Sequence, residues 1–390
     1  MIAYNKNWLD NLLIRKDVAS ATEKNLISKT DKIIIENEYP VGFYSPNYFT
    51  RIGLLILTFI IVSLTVGLIV ITNFGGRNND GILFISLSIL TYIILELMIK
   101  YKNHYRSGVD DALIWLTGIG FMTGINLLTE RTFLLNVFIV FLMALYFFFR
   151  FAKSLMAIIV TICFLQITFL LSIKMGHLFI ASFHFLLFIL SIAIYFFVKR
   201  FLTSDRFKYY KEGIQLIEIT ALICIYLSVN YYVVTERKIE FLNYYFDAPV
   251  NTNFAWFYWL FTIIIPVLYI LKGIQNKDRI LLRIGMLLIP ATIFTIRYYH
   301  AIIPVEIAMT IGGILLIAMA YALIKYLHQP QNGFTYEIIA EGNAQDKFNV
   351  EGLIIAQSFN GIQNAGQPAA DDARAFGGGS FGGGGASGDF

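Results

Sequence analysis

Two histidines, His177 and His184, stand seven residues apart in an apolar part of the chain. Seven residues turn an α-helix by about 700°, so both imidazoles would lie near one helix face. Such a pair could relay protons or bind a metal ion. Because no carboxylate and no cysteine-rich partner lies nearby in the sequence, we favour a packed, hydrogen-bonded His184 over either kind of site.

Three more ionisable residues fall inside apolar stretches: Glu96, Glu218 and Arg283. An ionisable group at membrane depth costs about 2.5–3.5 kcal/mol on insertion scales and is a functional candidate by default. Glu96 precedes Lys100 by four residues, a spacing that allows an ion pair on one helix face. Glu218 and Arg283 lie at matching depths and could pair between helices, although Arg283 could equally extend to the membrane surface.

The densest polar cluster near the end of an apolar stretch consists of Arg297, Tyr298, Tyr299, His300 and Glu306. A turn of only three or four residues joins two apolar stretches here, so these groups must lie close together. Arg297 and Glu306 could lock this hairpin, or they could line a pocket under the loop 235–253. We favour the lock, and we treat the cluster as the best candidate for a binding site.

The sequence shows no recognisable catalytic set. No Gly-x-Ser-x-Gly motif and no His-x-x-x-His motif lies at the end of an apolar stretch, and the two cysteines, Cys163 and Cys224, lie far apart in apolar stretches. An enzyme would need a nucleophile, a paired acid and base, or a metal cluster. We therefore expect no enzymatic activity, no metal and no cofactor.

The composition shows which elements must position these residues. Of 390 residues, 57% are hydrophobic and only 14% are charged, whereas soluble domains carry about 25% charged residues. The chain cannot form a polar surface, so we predict an all-α membrane protein. Ten stretches are long enough to span a bilayer. They are 52–72, 82–99, 112–128, 133–149, 154–173, 177–198, 214–234, 254–273, 280–298 and 302–325.

The distribution of basic residues predicts the orientation of these ten spans. With both termini inside, the inner segments hold 24 of the 30 lysines and arginines, and the outer loops hold six. Cytoplasmic loops of membrane proteins carry such an excess. We therefore expect cytoplasmic termini, no cleaved signal peptide, and a basic charge that reflects topology rather than binding of nucleic acid.

Two soluble ends flank the ten-span bundle of residues 51–327. Residues 1–50 predict two short amphipathic helices whose apolar faces cover each other or the inner end of the bundle, with the membrane surface as the alternative. Residues 328–390 form a tail that ends in a Gly-rich segment carrying Phe376, Phe381 and Phe390. This segment could be a mobile tail without a partner, or its aromatic chain end could be bound by a pocket.

Two resemblances accompany these patterns. The ending Gly-Gly-Gly-Gly-Ala-Ser-Gly-Asp-Phe resembles the Gly-rich C-termini of bacterial TPM-domain membrane proteins, although no soluble segment here is long enough for the TPM domain. The overall layout is similar to that of uncharacterised bacterial multi-spanning proteins with a short helical segment before the first span. This second resemblance rests on the segments Tyr39-Pro40-Val-Gly-Phe-Tyr-Ser-Pro46-Asn-Tyr, Arg51-Ile-Gly, Arg297-Tyr-Tyr-His300, Pro304-Val-Glu306 and Gly312-Gly313. The resemblance implies a bacterial inner membrane and no known activity.

Two functions remain open at this point. The few buried charges and the two soluble ends favour a non-enzymatic anchor or accessory subunit of a cell-envelope complex, with the bilayer and protein partners as its contacts. A secondary transporter of a small solute is the alternative, because ten spans can form two halves and Pro266 and Pro290 interrupt two of them.

Overall fold

The computed structural model describes residues 2–23, 25–72, 80–128, 133–176, 182–236, 255–299 and 305–326. About 88% of these residues are helical and none lies in a β-strand. The all-α prediction is therefore confirmed for the described part of the chain.

The helices follow one another through short connections. They are α1 (Lys6–Glu23), α2 (Lys29–Glu38), α3 (Tyr48–Thr72), α4 (Asp80–Lys102), α5 (Val109–Leu128), α6 (Phe133–Phe151), α7 (Ser154–Met175), α8 (Phe183–Leu202), α9 (Lys211–Val229), α10 (Ala255–Gln275), α11 (Arg279–Tyr299) and α12 (Val305–Tyr326). A 3-10 turn, Asp205–Tyr210, precedes α9, and a short helical piece, 231–236, follows it.

Nine helices among the described residues are long and apolar enough to cross a bilayer. They are α3 to α11, with the 3-10 turn counted as part of α9, and they coincide with the first nine predicted spans. Helix α12 occupies the position of the tenth. The described chain thus has the helix lengths and composition of a multi-pass membrane protein.

The spans pack mainly with their neighbours in sequence: α4 with α5, α6 with α7, α8 with α9, and α10 with α11. Contacts between α7 and α9 join the earlier spans to the later ones. At the crossing of α4 and α5, Gly81 and Gly124 lie backbone to backbone, and the Ser88 hydroxyl donates to the Thr117 carbonyl at 2.7 Å. Small residues allow this close approach between membrane helices.

Helix α3 lies at the edge of the bundle and buries none of its residues. It packs on α5, where Gly108 adopts a φ of +91° beside the carbonyl of Arg51. A Cβ atom at Gly108 would lie 2.1 Å from that oxygen, so only glycine allows α3 to approach the start of α5 this closely.

The segment before α3 packs on one end of the bundle, which we call the N-terminal face. Tyr4 and Leu9 are buried there, and the Ala3 amide donates to the Arg150 carbonyl at 2.8 Å. The Tyr209 hydroxyl donates to the Asp10 carboxylate at 2.8 Å, and Lys208 pairs with the same carboxylate. Docking of the first helix on the bundle, one of the two predicted arrangements, is confirmed.

Helix α2 departs from that prediction. It packs beside α1, and the Arg15 guanidinium donates to the Tyr39 carbonyl at 2.7 Å, yet none of its own residues is buried. Ile33 and Ile34 are 59% and 61% exposed, and Leu26 just before the helix is 73% exposed. For α2, cover by α1 or by the bundle is therefore not seen, and a position on the membrane surface stays a prediction.

Candidate functional site at the N-terminal face

The N-terminal face carries the densest cluster of ion pairs in the described chain. Its members come from five parts of the sequence: Arg51 on α3, Arg106 before α5, Asp110 and Asp111 at the start of α5, Lys153 before α7, and Glu212 at the start of α9. Each acidic residue lies in the first turn of its helix, where the helix dipole favours negative charge.

Asp110 is the buried centre of this cluster, with no exposed surface. It accepts hydrogen bonds from the Ser107 amide at 2.8 Å and the Ser107 hydroxyl at 3.0 Å. The Lys153 ammonium lies 2.7 Å away, and the Tyr4 hydroxyl donates at 3.3 Å. Burial of the phenol, and then the negative charge of Asp110, raise the pKa of Tyr4 well above its usual value. Tyr4 therefore stays a neutral donor.

Asp111 joins two cations across the face. The Arg51 guanidinium donates to one oxygen of Asp111 through Nε at 3.0 Å and Nη2 at 2.6 Å, and Lys153 pairs with the other oxygen. Arg106 pairs with Glu212, which also lies 3.5 Å from Lys16 of α1. These bonds tie α1, α3, α5, α7 and α9 together at their ends.

A cavity of about 180 Å³ opens within this cluster. Arg51, Arg106 and Lys153 supply three cations to its wall, and Asp111 and Glu212 supply two carboxylates. Its apolar wall includes Trp115 and Met156. The cavity therefore has both charged and apolar lining residues, which suits an amphipathic group.

Glu218 belongs to a second ion-pair cluster at the same face. It has no exposed surface, and the Lys199 ammonium lies 2.6 Å from its Oε1. Lys199 also pairs with Asp278, between α10 and α11. Arg283 is exposed. Of the two possibilities for Arg283, the pair with Glu218 does not form, because Lys199 on the adjacent α8 provides the nearer cation.

Asp278 shows how this cluster is held. Its Oδ1 accepts from the amides of Ile280 and Leu281 at 3.0 and 3.2 Å, so it caps the start of α11. Burial opposes ionisation of this carboxyl, but the hydrogen bond from Lys199 and the two amides outweigh it and lower the pKa of Asp278 below its usual value. Asp278 is therefore an anion at neutral pH.

Glu96 forms a third pair. The Arg150 guanidinium on α6 donates to both of its oxygens at 2.8 Å, and the Tyr92 hydroxyl donates at 2.7 Å. The predicted pair with Lys100 is not the one that forms, since the two-pronged guanidinium matches a carboxylate better than a flexible ammonium.

His184 lies away from this face and forms a hydrogen bond with the Tyr258 hydroxyl. It also packs against the Phe185 ring, with centroids 4.2 Å apart. This agrees with the packed, hydrogen-bonded role that we favoured. His177 lies outside the described residues.

The cluster predicted at the opposite end of the bundle is described only in part. Tyr298 contacts the Tyr232 ring, and the Tyr299 hydroxyl donates to Glu236 at 3.0 Å. Arg297 takes part in an interaction near the end of α11. The structure does not describe His300 or the side chain of Glu306, and Phe376, Phe381 and Phe390 also lie outside the described residues.

The seventh span contains a break that the sequence pattern did not predict. Helix α9 ends at Val229, and Asn230 is extended before the chain becomes helical again at 231–236. The Thr262 hydroxyl accepts from the freed Tyr231 amide at 3.0 Å. The Asn230 side chain donates to the hydroxyls of Tyr226 and Thr295 at 2.9 and 3.0 Å. This buried polar cluster satisfies the broken backbone inside the bundle.

The sequence signal for the site at the N-terminal face was the first-turn position of Asp110 and Asp111. Their partners Arg51 and Lys153 are 60 and 43 residues away in sequence, so no local spacing could pair them.

No group of three or more histidine, cysteine, aspartate or glutamate side chains that could hold a metal ion occurs among the described residues. No protein-family model, curated protein or solved structure matches this chain.

Proposed function

We propose that this chain is a non-enzymatic inner-membrane protein of bacteria that anchors or assists a partner protein of the cell envelope. In this proposal it has ten spans, both termini lie in the cytoplasm, and the N-terminal face carries the partner. The excess of lysine and arginine in the segments at this face supports the orientation.

One observation carries the proposal. The N-terminal segment is fixed to the bundle by Tyr4, Asp10 and Lys16, yet it leaves Ile33 and Ile34 of α2 exposed. A rigid, exposed apolar surface binds a partner with little loss of conformational entropy. We call Leu26, Ile33 and Ile34 the α2 surface.

The charges of α2 favour a protein partner over the lipid surface. The helix carries three acidic residues and two lysines, and its capping box places Asp31 in the first turn. Helices that lie on anionic membranes carry a basic polar face instead. The α2 surface therefore suits a protein with an apolar patch and basic residues around it.

Photocrosslinking in the native membrane tests this function. A benzophenone side chain at Ile34 should give one discrete protein adduct, and the additional change Ile33→Glu should remove it. The matched control is the same probe at Ile61 on α3, which is 54% exposed on an apolar helix and should capture lipid. Lipid adducts at Ile34, or protein adducts that Ile33→Glu leaves unchanged, would refute the proposal.

Transport of a small solute is the second candidate, and the break at Asn230 is the observation in its favour. Transporter sites are often built from interrupted helices near the bilayer midplane, and Pro266 and Pro290 lie in the two spans that face this break. The polar groups there already bond one another, which favours the anchor. Proton or solute flux into proteoliposomes that Asn230→Leu abolishes would support transport over the anchor.

A further inference from the structure

An apolar groove of about 300 Å³ runs along the surface of α5, between α6 and the start of α7. Its walls include Gly118 and Met122 of α5, Met143 and Phe147 of α6, and Ile159 of α7. From Ile114 to Asn126 the groove follows α5 over about twelve helical steps, or about 18 Å at 1.5 Å per step. That exceeds half of the about 30 Å hydrocarbon thickness of a bilayer, so the groove has the length of one lipid leaflet.

The groove adjoins the charged cavity of the N-terminal face. Ile114, Trp115 and Met156 line both spaces. The two spaces therefore adjoin, and we call them together the channel. Its groove is apolar, and its cavity presents Arg51, Arg106 and Lys153.

We propose that this channel binds one membrane phospholipid, with an acyl chain in the groove and the phosphate in the cavity. A phospholipid carries a phosphate at the depth of the membrane surface and hydrocarbon chains below it. It therefore matches both the charged cavity and the apolar groove. The proposal stands independently of the anchoring function.

The cations of the cavity retain donors for such a phosphate. A guanidinium has five N–H donors and an ammonium has three. Arg51 directs Nε and Nη2 to Asp111, and Lys153 contacts one oxygen each of Asp110 and Asp111. Charge-assisted bonds from such donors to phosphate are among the strong hydrogen bonds of proteins.

The charge balance of the cavity also fits one phosphodiester. Its wall holds three cations and two carboxylates, so a single negative charge completes it. Outside the cavity wall, Asp110 contacts Lys153, and Lys16 contacts Glu212. Asp110 and Lys16 add one negative and one positive charge, so the balance does not change.

Backbone geometry sets this cavity apart from an ordinary surface depression. Arg106 and Ala152 in its wall adopt φ values of +51° and +47°. Such conformations are costly for residues other than glycine, asparagine and aspartate, and they cluster at binding sites. Here they orient the Arg106 side chain and the neighbouring Lys153.

A second groove of about 400 Å³ between α6, α7 and α8 provides the internal comparison. Fifteen residues line it, among them Phe141, Phe164 and Phe197, and none of the fifteen is charged. It can hold hydrocarbon but offers nothing to a headgroup, so it should exchange lipid freely.

Native mass spectrometry of the full-length protein in detergent tests the proposal with phosphatidylglycerol as the probe. Wild-type protein should retain one phosphatidylglycerol. Arg106→Gln should weaken retention about tenfold, equivalent to ~1.4 kcal/mol. Gly118→Leu should block the groove, because a Cβ at Gly118 would face Met143 and Phe147 at 3.4 and 3.6 Å. The control Gly67→Leu lies on α3 with no atom within 4 Å and should retain the lipid.

Two further ligands separate the sources of the binding energy. Diacylglycerol, which lacks the phosphate, should bind at least about tenfold more weakly than phosphatidylglycerol, and millimolar inorganic phosphate should not displace the lipid. Equal binding of diacylglycerol would overturn the headgroup assignment, and displacement by inorganic phosphate would indicate a site for free anions instead. Retention of lipid by both Arg106→Gln and Gly118→Leu at the wild-type level, with unchanged melting temperatures, would overturn the site itself.

Discussion

Each buried carboxylate of the N-terminal face lies beside a cation. Asp110 and Glu218 have no exposed surface, and each lies within 2.7 Å of a lysine nitrogen. Such a pair is not a strong source of stability in itself, but the loss of one partner leaves a buried charge without compensation. The effect of a substitution therefore depends on which partner remains.

Lys199 gives the clearest test of this asymmetry. Loss of one partner of a fully buried pair costs about 3–5 kcal/mol, and since Lys199 is 36% exposed we expect about 1–3 kcal/mol for Lys199→Met. The double variant Lys199→Met, Glu218→Met should recover the part of the loss in melting temperature that comes from Glu218, while Asp278 still lacks its cation. Arg283→Met, an exposed site on α11, is the control. A double variant as unstable as Lys199→Met would contradict the account.

The lowered pKa of Asp278 predicts a loss of stability in acid. In the folded state this carboxyl binds a proton less readily than at its usual value of 3.8, so the unfolded chain takes up protons first as the pH falls. The stabilisation is complete above about pH 4 and is lost as the pH falls through the folded pKa. Asp278→Asn should therefore show a smaller drop in melting temperature between pH 5 and pH 3 than the wild type, and an equal drop would contradict the assignment.

Among the elements, the crossing of α4 and α5 depends on close backbone contact. A Cβ at Gly124 would lie 2.7 Å from the Gly81 carbonyl oxygen and 2.8 Å from the Ile85 amide, whereas one at Gly120 would meet Ser88 at an ordinary 3.5 Å. Of these two glycines, which lie four residues apart on α5, only Gly124 is needed for the contact.

Gly124→Ala should therefore destabilise the bundle by about 1–3 kcal/mol, the usual cost of overpacking. The matched change Gly67→Ala on α3 meets no atom within 4 Å and should leave the melting temperature unchanged or slightly higher. The stabilities of both variants are measured by thermal unfolding in the same detergent. Similar effects at the two sites would mean that the close contact does not stabilise the crossing.

The sequence predicts the helices well where long apolar runs determine their positions. Continuous apolar runs locate helices α3 to α11, because a bilayer requires about 20 apolar residues and satisfied backbone bonds. The break at Asn230 escaped notice, since its backbone is satisfied by Thr262 from a different span. The exposed side of α2 also escaped notice, because only tertiary packing decides which apolar residues are covered.

At the scale of the whole molecule, the N-terminal face combines three features: the ion-pair clusters, the docked segment and the α2 surface. The sequence identified Glu96 and Glu218 as candidates but not their partners Arg150 and Lys199, which lie on other helices. Ion pairing across a bundle depends on how helices are arranged around one another, and hydropathy carries no information about that arrangement. At this face of the described chain, the docked segment and the ion-pair clusters hold several helices together.

The central claim is that this face lies in the cytoplasm and displays α2 there. Single cysteines at Ile33 and at Lys174, near the opposite end of α7, test it in a chain with Cys163→Ala and Cys224→Ala. In intact cells a membrane-impermeant maleimide should label the cysteine at position 174 and should label that at position 33 only after the membrane is permeabilised. Labelling of position 33 in intact cells, with position 174 protected, would contradict the account.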